Sequence, residues 1–305
     1  ADRPGKGEAP MAAITVAAVC EGKVQAAVGR RRGRRVQIRQ LGEAQLPEGC
    51  PTGSLQVDPA ALQSALADFW QDQRLPVRRV ALLLGGRPFV CRQLCLPHMR
   101  PGRLRGVLRH EMDTAGEIAD PLDDYMLLDR DLRRGTDTVL ATRVERGVIG
   151  DWAELARALG LGLVSIDLAA AGLIRLVRAL PEHRQRTFLV LVPEGGFLSA
   201  FLFDRGLYRY AARSRLREPW GTPGCADEIL QRVSGIVQFY QTEKSSHPLT
   251  HLYFGGGADR ELAACAPGTA ALGLQAQRFP DSPLVQLPEG WSLADCLYTA
   301  GALMD

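Results

Sequence analysis

The chain has 305 residues, 46% apolar and 23% charged. That excludes disordered, collagenous and coiled-coil classes, and the length accommodates about two domains. The 37 basic residues exceed the 34 acidic ones by too little to make a nucleic-acid face, so no nucleic-acid partner is expected. No stretch approaches the ~18 continuous apolar residues of a spanning helix, and no charged region followed by an apolar one opens the chain. The protein therefore reads as intracellular, with no transmembrane segment. Residues 1–10 are polar and rich in Gly and Pro, and Met11 directly precedes the first apolar run, so 1–11 reads as a tag remnant or disordered start.

From Ile14 the pattern runs extended (14–19), turn (Cys20, Glu21, Gly22), extended (23–28), a Gly/Arg turn, and extended again (35–41), a three-strand meander. Asp58 offers an N-cap and Pro59 a first helical position. Leu62, Ala65, Leu66, Phe69 and Trp70 then follow at the spacing of a buried helix face, predicting a helix over 59–73. Val80 to Leu84 reads as a buried strand ending at Gly85 and Gly86.

Residues 87–147 hold extra material: an extended run from Phe89 to Leu96, a helix carrying Leu104, Val107, Leu108 and Met112, and extended runs at 125–128 and 138–144. This is a small inserted α+β subdomain. Asp151 is placed as the cap of a helix through Trp152, Leu155 and Leu159, followed by a short strand (163–166) and a helix over 168–180.

The second half repeats the order. Phe188 to Val192, Phe197 to Phe203 and Leu207 to Ala211 form a meander, and Thr222 and Pro223 start a helix with Ile229, Val233, Ile236, Val237 and Tyr240 on one face. Leu249 to Phe254 then leads into Gly255, Gly256 and Gly257, and a helix over 258–265. Such duplication builds two similar sheets with a cleft between them. The fold class is therefore α/β, with duplicated actin-like (ribonuclease-H-like) βββαβ halves: 12–180 with the insertion, then 186–290. Residues 291–305 are expected to form a helix, with Leu293, Leu297 and Ala300 on one face, that packs back on the first half.

Seven cysteines, an odd number with no CxxC pair, suggest neither a disulfide framework nor a zinc site. Cys91 and Cys95 share a strand face and read as small core residues, as do His98 and His110.

Several motifs in order resemble the PilM family of type IV pilus biogenesis proteins, including its MshI-like branch. They are Cys91-Arg-Gln-Leu-Cys-Leu-Pro97 before a helix ending at His110 and Glu111; Val139 to Thr142 before a helix ending at Ala158 to Leu161; Gly195 and Gly196; Asp227 to Tyr240; Leu252 to Gly257; and Tyr298 to Leu303. The resemblance implies a cytoplasmic actin-like protein, peripheral to the inner membrane through partners. Such a protein holds the cytoplasmic tail of PilN beside the inserted subdomain and joins the pilus platform to the assembly ATPase. It also implies an ATP/Mg site in the cleft, where two hairpin turns face the phosphates and an Asp ends each first strand.

Here Glu21 and Glu194 stand near those strand ends in place of Asp, and Pro193 removes one N–H. Gly195, Gly196, Gly255, Gly256 and Gly257 remain as candidate backbone contacts. There is no Walker A, GxSxG or HExxH sequence. The expectation is a scaffold with a degenerate nucleotide cleft, no cofactor, no metal and no catalytic residue. The alternatives are an active actin-like ATPase or small-molecule kinase using Glu21 and Glu194, or a GspL-like type II secretion platform protein, against which the absence of a membrane helix weighs. Phe89, Arg92 and Leu94 are the candidate partner contacts, with core packing as the other reading of the two apolar ones. The arginines between Gly29 and Arg35 read as a solvated hairpin tip, with attraction to an anionic leaflet as a secondary effect. Trp220 reads as a packed loop anchor.

Overall fold

In the computed structural model, residues 12–47, 59–86, 89–113, 118–242, 247–257 and 259–304 are described. The expected leader 1–11 and the Asp58 cap lie outside them.

The first meander is β1 (Ile14–Cys20), β2 (Lys23–Arg32) and β3 (Arg35–Gln45), followed by α1 (Pro59–Asp72) and β4 (Val80–Leu84). Leu62, Leu66, Phe69 and Trp70 of α1 are buried against one face of this sheet, as their spacing requires. The insertion supplies β5 (Val90–Pro97), α2 (Pro101–Asp113), β6 (Pro121–Asp131) and β7 (Thr136–Glu145). The chain then returns through α3 (Arg146–Ala158), β8 (Leu163–Leu168) and α4 (Ala169–Ala179). The second half comprises β9 (Phe188–Glu194), β10 (Phe197–Asp204), β11 (Leu207–Arg215), α5 (Pro223–Thr242), β12 (His251–Phe254), α6 (Asp259–Ala271) and β13 (Gln275–Arg278). It is followed by β14 (Val285–Gln286) and α7 (Leu297–Ala302).

The duplication is explicit in the strand order. One sheet runs β14-β3-β2-β1-β4-β8 and the other β11-β10-β9-β12-β13. In each, the first strand pairs antiparallel with its hairpin neighbour and parallel with the strand after the helix. The fold class is thus the expected one. The insertion forms its own sheet, β5-β7-β6, whose Val139 and Ala141 pack with Leu104, Leu108 and Met112 of α2.

Helix α3 begins at Arg146, earlier than the cap placed at Asp151, because Val148 lies one turn before Trp152 and extends its apolar face. Helix α6 continues through Pro267 to Ala271, past the expected end at 265, since Cys265 and Thr269 stay buried on one face. The closing segment is a 3₁₀ turn, Leu293–Cys296, and then the short α7. A Ser292–Asp295 capping box starts that turn. Cys91, Cys95, His98 and His110 are all exposed, which corrects their reading as core. Strand alternation turns Val90, Leu94 and Leu96 toward the α2 cluster, leaving Cys91 and Cys95 on the opposite, open face.

Helices α4 and α7 cross with their backbones almost touching. A Cβ at Gly301 would sit 1.8 Å from the Gly172 carbonyl oxygen, and one at Gly172 would sit 2.3 Å from that of Tyr298. Only glycine at both positions permits this approach.

Candidate functional site

The hairpin turns β1–β2 and β9–β10 meet face to face. Gly195, at φ 56°, lies against the Glu21 backbone so closely that a Cβ there would be 2.5 Å from its carbonyl oxygen. Glu194 is 5% exposed. Its carboxylate is held from two sides: Arg213 Nε of β11 donates to Oε2 at 2.9 Å and the Tyr298 hydroxyl to Oε1 at 2.5 Å. Arg213 also reaches across the cleft, Nη2 donating to Glu21 Oε2 at 2.6 Å. Burial alone would lower the Arg213 pKa, but the hydrogen bonds and charges of Glu21 and Glu194 outweigh it and the net shift is upward. Burial and the adjacent Glu194 push the Tyr298 hydroxyl well above its ordinary value. The two glutamates are therefore bridged by a fixed cation from the protein itself.

The glycine turn is engaged as well. Gly255 N donates to Leu191 O at 2.8 Å and Gly256 N to Ala294 O at 2.6 Å, while a Cβ at Gly255 would meet Leu297 at 2.6 Å. Gly196 O accepts from Leu216 N at 2.9 Å, and Trp220 Nε1 donates to Gly195 O at 2.5 Å, so Trp220 anchors the loop. The space shared by Glu194, Gly256, Gln25 and Tyr298 amounts to about 50 Å³. These residues do not fit a Mg–nucleotide in the position the resemblance implies. Arg213 occupies the bridging place between the carboxylates, and two of the turn amides already have partners. Among the described residues there is no group of three or more His, Cys, Asp or Glu able to hold a metal ion. A larger cavity of about 480 Å³ lies on the other side of the Glu194–Arg213–Tyr298 cluster, toward Gly85, Gly86 and β5.

A second concavity of about 450 Å³ separates the insertion from the first half. Its walls are β6 and β7 on one side and β8 and α4 on the other, with Phe89, Met126, Leu140 and Ile166 among the apolar lining. Arg105 and Asp124 line it with no ion pair among the described residues, whereas Asp167 is paired with Arg175 at 2.5 Å. Phe89 is half-buried, packed against the core under α1 as well as lining this groove. Arg92 is exposed and donates Nη1 to Glu111 O at 2.8 Å. Leu94 packs on the α2 side, so the structure does not bring the three expected contacts into one site.

The sequence reading missed Arg213 and Tyr298. Arg213 alternates with other arginines on β11 and resembles a solvated face; two apposed glutamates without a metal motif were the available signal that a cation should lie between them.

No family model matches the sequence, and no curated protein matches it. Solved structures do. A chain of a PilM–PilN type IV pilus biogenesis complex superposes with a TM-score of 0.79 at 16% identity, covering 96% of this chain and 98% of that one. A Bacteroides thetaiotaomicron protein with an actin-like ATPase fold and unknown function gives 0.56 at 9% identity, covering 96% of each chain. The cytoplasmic domain of EpsL, an inner-membrane component of the Vibrio cholerae type II secretion system, gives 0.50 at 12% identity, also covering 96% of each. No helix among the described residues is long and apolar enough to cross a membrane. The chain has the actin-like fold, built of two duplicated halves, and it resembles the PilM–PilN complex chain over nearly its whole length.

Proposed function

We propose that this chain is a PilM-like, non-catalytic cytoplasmic scaffold of a type IV pilus platform. It holds the cytoplasmic tail of a PilN-like membrane protein in the groove between the insertion and the first half, and its cleft is closed by packing rather than by nucleotide. The observation that carries the reading is the Arg213 bridge between Glu21 and Glu194, which joins the two hairpins through a side chain of the protein itself. The groove supports it: apolar walls with Arg105 and Asp124 suit an extended amphipathic peptide. The likeness to the complex chain supports the partner class. The MshI-like branch and contact with the assembly ATPase are further parts of the same proposal.

Calorimetric titration tests it, using a peptide with the cytoplasmic tail sequence of a PilN-like protein and, separately, Mg-ATP. The peptide binds wild type and not Phe89→Asp, and Mg-ATP gives no heat. Nor does Mg-ATP raise the unfolding midpoint, whereas a ligand at a hundredfold excess over Kd stabilises by about 2.7 kcal/mol. ATP binding abolished by Glu194→Ala overturns the closed cleft, and failure of the peptide to bind overturns the groove.

A further inference from the structure

One end of the first sheet concentrates positive charge from separate parts of the chain. The β2–β3 hairpin carries Arg30, Arg31, Arg32, Arg34 and Arg35, turning at Gly33 with φ 57°. Its register sets Gly29 beside Ile14. Next along β1, Thr15 N donates to Arg79 O at 3.1 Å, which brings Arg78 and Arg79 to the same end. Gly162 N donates to Val77 O at 2.7 Å, which adds the start of β8. None of these arginines makes an ion pair among the described residues: Arg30 donates to Gln37 Oε1 and Arg31 to Gly33 O, both neutral acceptors. Two large apolar side chains are also exposed here, Val77 at 45% and Val164 at 52%.

A cavity of about 180 Å³ opens at this end, lined in part by Arg30, Arg31, Arg79, Ile14 and Leu303. Asp167 is its one carboxylate among the described residues, and Arg175 neutralises it. An arginine run alone is a solvated tip. Here the fold adds two further cations, a recess between them, and apolar side chains beside them. That combination matches a surface of fixed phosphates over an apolar layer, where each basic residue near the surface strengthens partitioning by about fivefold.

We propose that this end of the sheet docks on an anionic phospholipid bilayer. A headgroup phosphate enters the recess between Arg30, Arg31 and Arg79, and Val77 and Val164 meet the interface. The proposal does not depend on the peptide groove.

Vesicle flotation with the full chain tests it. Vesicles of phosphatidylglycerol and phosphatidylcholine in equal parts bind the protein, vesicles of phosphatidylcholine alone do not, and binding falls as salt rises from about 0.1 to 0.5 M. The triple variant Arg32→Glu/Arg34→Glu/Arg35→Glu, at exposed positions, keeps its unfolding midpoint and its tail-peptide affinity but binds the anionic vesicles about 100-fold more weakly. Arg79→Asn, which suits the left-handed φ of 56°, keeps the fold and weakens binding about fivefold. Absence of wild-type binding to anionic vesicles, or equal binding by the triple variant, overturns the proposal; unchanged binding by Arg79→Asn removes the recess from it.

Discussion

Tyr298, in the closing helix, donates its hydroxyl proton to Glu194 Oε1 at 2.5 Å, fixing the turn of the second hairpin from 104 residues away. The phenol is buried, so the bond is made where water offers no substitute. Tyr298→Phe leaves one carboxylate oxygen of Glu194 without this donor and destabilises the fold by about 1–3 kcal/mol, read as a lower urea midpoint with an unchanged slope.

Arg213→Met removes the cation between two acids and costs about 3–5 kcal/mol, since Glu194 is then buried without its charge partner. Adding Glu194→Gln to that variant restores part of the loss. Strict additivity of the two substitutions, measured by chemical denaturation, contradicts the coupling.

His183 is fully buried among Phe188, Tyr253 and Phe279, and both ring nitrogens lack a hydrogen-bond partner among the described residues. Burial lowers its pKa from 6.5 to about 4. The unfolded chain binds the extra proton first, so stability from this group is complete above pH 6.5 and is lost as pH falls toward 4, by up to about 3 kcal/mol. His183→Leu flattens the slope of stability against pH across that window. A slope equal to wild type in this variant assigns the pH dependence elsewhere.

Gly301→Ala forces a Cβ into the Gly172 carbonyl, a backbone atom with little room to yield because α4 lies in the main core. The expected loss is at least about 3 kcal/mol, seen as a large fall in the thermal midpoint or failure to accumulate folded protein. Gly106→Ala, an open position on α2, stabilises slightly by comparison.

The sequence made the repeated βββαβ order legible because its strands alternate or run apolar between glycine turns and its helices keep 3.6-residue spacing. Strands β13 and β14 escaped because four and two residues carry no period to read. Helix α7 showed its apolar face, but not that Gly172 would be its partner, since close backbone approach leaves no pattern within one chain segment. The same limit applied to the site. Glu21 and Glu194 stood out by position, whereas Arg213 joined them through tertiary contact alone. Cys91 and Cys95 were misread because strand alternation says which residues share a face, not which face is covered.

The Asp167–Arg175 pair lines both the peptide groove and the arginine-rich recess. This ion pair therefore borders both the place proposed for a membrane protein's tail and the place proposed for headgroups. An extended chain advances about 3.3–3.6 Å per residue, so a tail leaving the bilayer beside this end needs only a short tether before entering the groove. Recruitment then benefits from high local concentration at one surface, and inserting flexible residues ahead of the tail's docking segment dilutes it without altering any contact.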